Sequence, residues 1–310
     1  MMKREDFTFD SRDGITKLHA VRWTPDDTEP VGVVQIIHGM CEHVGRYEDF
    51  AKFLVDKGFV VTAEDHLGHG KSIVDDKKGY FCRQDPATVV VRDVHRLKKI
   101  TQELYPGKPY YIIGHSMGSF ILRNYLFKYG KGIDGAVVMG TGMPSRASSV
   151  FLKILASTGC LFGHAARPSK FISVIAFGSY NKRIQNARTP YDWLTKVDEI
   201  VDIYLKDPLC GFMFPCNGFK TMAELLLRLH KKSNIDKIPV TLRVLVTSGS
   251  EDPVGSYGAG PQAVYKEFVA AGMQKVDIKM YEGDRHEILN ETDNRVVYED
   301  IYNWLTKEQS

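Results

Sequence analysis

Ser116 lies in Gly114-His-Ser116-Met-Gly118, a G-x-S-x-G pattern between a short apolar run and a helical stretch ending near Tyr129. A serine on a sharp strand-to-helix turn holds strained backbone, so its neighbours must be small enough for the chain to cross itself. In return the hydroxyl stands clear of a sheet edge, with a helix N-terminus behind it that favours developing negative charge. The hydroxyl is unreactive at its own pKa. It needs a histidine as base and a carboxylate to orient that base.

On such a turn the order along the chain is serine, acid, histidine. The acid should follow a sheet strand. The strand ending at Met139 leads into Gly-Thr-Gly, with no carboxylate, whereas the strand ending near Thr247 leads into Ser248-Gly-Ser-Glu251-Asp252-Pro253. Asp252 is the preferred acid and Glu251 the second choice, because Pro253 fixes the turn directly after Asp252. His286 is the sole histidine beyond Asp252 and becomes the base by elimination. Two main-chain N–H groups must also face the oxyanion. Met117, next to the serine, supplies one. Met40, in the His38-Gly39-Met40 loop after an early strand, supplies the other.

The elements that must hold these residues alternate. Strand-like segments fall at 7–9 and 15–23, joined by an Asp13-Gly14 turn, and at 31–37, 59–63, 110–113, 133–139, 240–247 and 276–281. Helical periodicity covers 46–57, 86–105, 116–129, 260–271 and 295–305. Such alternation predicts an α/β fold with a mostly parallel sheet and right-handed crossovers. The pattern breaks at 143–236, where helices and turns predominate. Residues 1–142 and 237–310 are therefore the core, and 143–236 a helical insertion above the carboxyl ends of the strands. Two of its segments, 150–162 and 171–177, are apolar on nearly every side, as expected of a helix that is buried or faces something greasy.

Composition excludes several classes. A net charge of +3 argues against nucleic acid as partner. The five cysteines are scattered without C-x-x-C spacing, which argues against a disulfide frame or zinc site. His66 and His69 lie in a glycine-rich loop that lacks the rigid helix of a metal site, so no metal is expected. No h-region follows Lys3-Arg4, and a reduced, cytoplasmic, monomer-like protein is expected, although the sequence leaves the oligomeric state open. Charge is uneven: residues 143–236 hold 13 Lys and Arg against 7 Asp and Glu. That excess fits either a solvated basic face or contact with anionic lipid.

Together, His38-Gly-Met40, Asp65-His-Leu-Gly-His-Gly-Lys-Ser72, the serine turn, Gly249-Ser-Glu-Asp-Pro253 and Arg285-His-Glu-Ile288 resemble the α/β-hydrolase superfamily. Within it they resemble the monoacylglycerol lipase/lysophospholipase-like branch, also grouped with serine-aminopeptidase-type hydrolases. The likeness runs almost the full chain, with the insertion after the sixth strand at the usual cap position. One departure is Ser119, where many relatives carry glycine. The resemblance implies hydrolysis of esters of single-chain lipids without a cofactor, with a small-molecule ester or lipid as substrate. Phe151, Leu155, Phe171 and Ile175 of the insertion are expected to line an acyl pocket or touch a lipid surface. General short-chain carboxylesterase, aminopeptidase or amidase activity on the same triad, and a catalytically silent binding protein, remain the alternatives.

Overall fold

The computed structural model describes residues 2–26 and 28–307. Its frame is one eight-stranded sheet of β1 (Met2–Asp10), β2 (Lys17–Pro25), β3 (Gly32–Ile37), β4 (Phe59–Glu64), β5 (Tyr110–His115), β6 (Gly135–Met139), β7 (Arg243–Gly249) and β8 (Lys275–Tyr281). Their spatial order is β1-β2-β4-β3-β5-β6-β7-β8. β1 pairs antiparallel with β2, and β2 with β4. Every other pairing is parallel. Strands β3 to β7 are buried along their whole length. Their unbroken apolar runs fit strands covered on both faces.

One face carries α2 (Pro86–Leu104), α3 (Met117–Tyr129) and α9 (Ala259–Ala270), and the other α1 (Glu48–Asp56) and α10 (Asn294–Thr306). Between β6 and β7 stand α4 (Arg146–Leu161), α5 (Lys170–Phe177), α6 (Asp198–Lys206), α7 (Cys216–Leu229) and the short α8 (Lys232–Ile235). This stretch adds no strand to the sheet among the described residues, and only an isolated bridge joins Pro168 to Pro215. Helix α7 is not detached from the core: Phe219 and Leu225 sit in the main apolar cluster beside α2 and α3.

The boundaries differ from the sequence reading where local chemistry overrides periodicity. The segment at 46–57 divides into a 3₁₀ turn, Val44–Tyr47, followed by α1. β7 starts at Arg243, because Leu242 N–H closes a turn onto Pro239 O. Helix α4 starts four residues before Val150, where the Ser145 hydroxyl accepts from Ser148 N–H as its cap.

The order β4-β3-β5 reverses direction across β3, which places a crevice at the carboxyl ends of β3 and β5. The loop after β3 begins at His38, and Ser116 directly follows β5.

Candidate active site

Ser116 has φ 53° and ψ −121°, a conformation that costs a non-glycine residue about 1–3 kcal/mol. The crossing behind it is tight. A Cβ on Gly118 would lie 2.0 Å from Ile37 O, and one on Gly114 would lie 2.5 Å from Gly118 O. Ser116 N–H donates to Met139 O at 3.0 Å, which pins the turn to β6. Ser116 is the N-cap residue of α3, yet its hydroxyl caps nothing, so it stays free for other chemistry. Ser119 fits without glycine's freedom: its hydroxyl donates to Ser116 O at 2.6 Å and lies 2.9 Å from Thr141 Oγ1.

Asp252 and His286 come together, and Glu251 does not join them: Asp252 is fully buried and Glu251 exposed. His286 Nδ1 lies 3.0 Å from Asp252 Oδ2, off the line of a strict hydrogen bond. Asp252 also accepts from Val254 N–H at 2.8 Å and from the Ser248 hydroxyl at 3.1 Å. Burial pushes its carboxyl up, but the His286 imidazole and these donors outweigh that and hold it below the usual carboxylate range. The His286 loop meets the serine turn at Gly140, where an added Cβ would sit 3.2 Å from His286 Cε1. From the insertion, Trp193 covers His286 with ring centroids 5.2 Å apart.

Gly39 brings the β3 loop against Ser116, since a Cβ there would lie 3.1 Å from Ser116 Cβ. Among the described residues, the main-chain N–H groups of Met40 and Met117 have no acceptor within the protein. The loop is pinned from the insertion. Gly211 N–H and the Tyr204 hydroxyl both donate to Cys41 O, at 3.0 and 3.1 Å, and Cys41 itself has φ 56°. His43 Nε2 meets Asp207 Oδ2 at 2.8 Å. Cys210 completes a group whose ligand atoms lie within 4.8 Å of one another. His43 Nδ1 accepts from Gly45 N–H, so Nε2 carries the proton and donates to Asp207, making the group a hydrogen-bonded latch. His66 and His69 pack with His38 beneath the same loop, all three buried.

The four residues expected to touch the acyl chain divide. Leu155 packs against the main core, while Phe151, Phe171 and Ile175 are exposed. Leu161 and Phe162, at the end of α4, are 85% and 77% exposed. No helix among the described residues is long and apolar enough to cross a membrane.

Sequence reasoning missed Glu42, Arg46, Tyr47, His115, Trp193 and Glu287. Arg46 forms a two-pronged ion pair with Glu287, at 2.5 and 2.6 Å, and reaches Glu42 at 2.8 Å. Arg46 and Glu287 are 241 positions apart, and no local spacing announces such a pair.

A strained serine after β5, an acid after β7 and a histidine after β8, on this strand order, define an α/β-hydrolase. The family model described as serine aminopeptidase S33 matches residues 28–293, and the chain belongs to that family. It is 27% identical to the monoacylglycerol lipase of Mycolicibacterium smegmatis, over 97% of both chains. It is 28% identical to human monoglyceride lipase, over 92% of this chain and 85% of that one. A thermostable carboxyl esterase from Bacillus coagulans, solved in complex with glycerol, superposes with a TM-score of 0.88 at 30% identity, covering 99% of this chain and 100% of that one.

Proposed function

We propose that this chain is a serine hydrolase that cleaves carboxylic esters of single-chain lipids, monoacylglycerol or lysophospholipid, through an acyl-enzyme. The observation that carries the reading is the strained Ser116 turn set against a loop whose Met40 N–H is free, with a buried Asp252 carboxylate on His286. Likeness along nearly the whole chain to monoacylglycerol lipases supports the substrate class.

In this mechanism His286 takes the Ser116 proton as the oxygen attacks the ester carbonyl. The N–H groups of Met40 and Met117 receive the oxyanion. Asp252 holds the His286 tautomer and stabilises the imidazolium. His286 then protonates the leaving alcohol, and water repeats the cycle on the acyl-enzyme. Residues 143–236 act as a cap. The Leu155 face of α4 lines the acyl path, and Phe151, Phe171 and Ile175 meet the lipid surface. Arg146 and Lys170 on the same helices draw that face to anionic head groups.

An aminopeptidase would need a carboxylate to hold the substrate amine. Glu42 and Glu287, buried behind the site, are already taken up by Arg46. The test is kcat/KM on p-nitrophenyl acetate, monooleoylglycerol, lysophosphatidylcholine and an aminoacyl anilide, with Ser116→Ala as control. The long-chain lipids should win, and the variant should lose about 10⁴-fold or more. A winning anilide would replace the lipase reading with the peptidase one. Failure to co-sediment with anionic vesicles at low salt would remove the membrane contact.

A further inference from the structure

Directly before the nucleophile, His115 is buried at 6% side-chain exposure among groups that the mechanism leaves unused. Its surroundings fix its protons. Nε2 lies 3.2 Å from the main-chain carbonyl of His286, which can only accept, so Nε2 carries a hydrogen. Nδ1 faces Tyr47 Oη at 3.1 Å and Glu42 Oε1 at 3.5 Å. The single Tyr47 hydroxyl hydrogen is given to Glu42 Oε1 at 2.8 Å, leaving Nδ1 a lone pair on Tyr47. Glu42 has no hydrogen to offer. Its Oε1 accepts from Gly39 N–H and Tyr47, and its Oε2 from Arg46. Both imidazole nitrogens therefore face acceptors.

Charge counting reaches the same state. Glu287 accepts from Arg46 on both oxygens and from Asn290 as well, so it too is ionised. Two buried carboxylates against one guanidinium leave one negative charge uncompensated, and a charged His115 closes the balance. The void beside these groups is about 10 Å³, no larger than one water, so bulk solvent does not screen them. An uncompensated charge in such a place is costly. Burial works against a charged His115, but the hydrogen bond and charge of Glu42 overcome it and raise its pKa.

We propose that His115 is a doubly protonated positioning residue, forming with Glu42 a second histidine–carboxylate pair behind the triad. Through Nε2 it holds the main chain of His286, through its own backbone the Ser116 turn, and through Glu42 the Gly39 N–H of the oxyanion loop. The groups facing it are Glu42, Tyr47 and His286, whose ring centroid is 4.7 Å away, with Arg46 and Glu287 one contact further out. The role in catalysis rests on the serine-hydrolase reading; the protonation state does not.

The test is nitrogen NMR of histidine-labelled wild-type protein, assigned with His115→Gln. Both His115 nitrogens should be protonated at ~pH 8, where a free imidazole is neutral. A bare nitrogen there would overturn the proposal without touching the triad. In Glu42→Gln the second proton should be lost by the same pH, and its retention would also overturn the proposal. In the folded His115→Gln protein, kcat should fall roughly ten- to hundredfold, as for a misplaced catalytic group, with KM little changed. An unchanged kcat would remove the positioning role.

Discussion

Asp252 shows how a single atom's surroundings set a chemical role. Its carboxylate is fully buried, yet three polar partners keep it charged, which is the state that the proposed role of orienting His286 requires. Asp252→Asn preserves the volume but offers an amide donor to Nδ1, selecting the wrong tautomer. A fall in kcat of about 10⁴-fold is expected, with the melting temperature near that of wild type. Ester hydrolysis by the purified variant, beside its thermal unfolding curve, checks both halves. At this scale the sequence was informative for one reason. Ser116, Asp252 and His286 each follow a strand, and their order is restricted by the fold. His115 ends a strand, and Glu42 and Glu287 lie a few residues behind theirs, but their work depends on contacts between distant segments, and no spacing records those.

At the scale of elements, the loop after β3 is a suspended structure. Cys41 takes a left-handed conformation that a β-carbon disfavours, and the insertion supplies what holds it there. The Tyr204 hydroxyl and Gly211 N–H grip Cys41 O, and Asp207 grips His43. The helical insertion thus shapes the main chain on which Met40 N–H depends. Removing the Tyr204 hydroxyl isolates the effect. Tyr204→Phe keeps the ring against Arg46, whose guanidinium carbon lies 4.8 Å from its centroid. Stability should fall by about 1 kcal/mol, the usual net worth of one hydrogen bond. If the loop bears the oxyanion, kcat should fall several-fold further than short-ester KM changes, and single-turnover acylation rates are the direct measure. The Asp13-Gly14 turn marked the antiparallel β1 and β2, and the α/β alternation marked the other strands, of which β3 to β7 read as apolar runs because they are buried. It could not reveal this clamp: α6 carries an ordinary amphipathic pattern whose significance appears only when its far end meets residues 41–43.

Across the whole molecule, buried ionisable groups pull stability in opposite directions as pH changes. Asp93 ties the turn between β1 and β2 to α2 by accepting from the Ser11 hydroxyl at 2.8 Å and from Arg12 N–H. Those donors favour the carboxylate, but burial outweighs them and raises its pKa to about 7. An acid whose folded pKa is raised is favoured while protonated. Folding therefore gains nothing from it below the unfolded value near 4, loses ground as pH rises from there to about 7, and loses no more above that. The full separation corresponds to roughly 4 kcal/mol. The buried histidines slope the other way. Burial lowers the pKa of His38, of His66 and of His69, the last to about 3, so each costs stability when pH falls below the unfolded histidine value. The net curve between pH 4 and 7 hides both trends, and a variant difference separates them. Asp93→Asn keeps the shape and cannot ionise. Its stability relative to wild type should climb steadily from about pH 4 to about pH 7 and then level off, in urea titrations read at intervals across that range. A difference that stayed constant with pH would mean that Asp93 remains ionised throughout, and that the Ser11 and Arg12 donors prevail over burial.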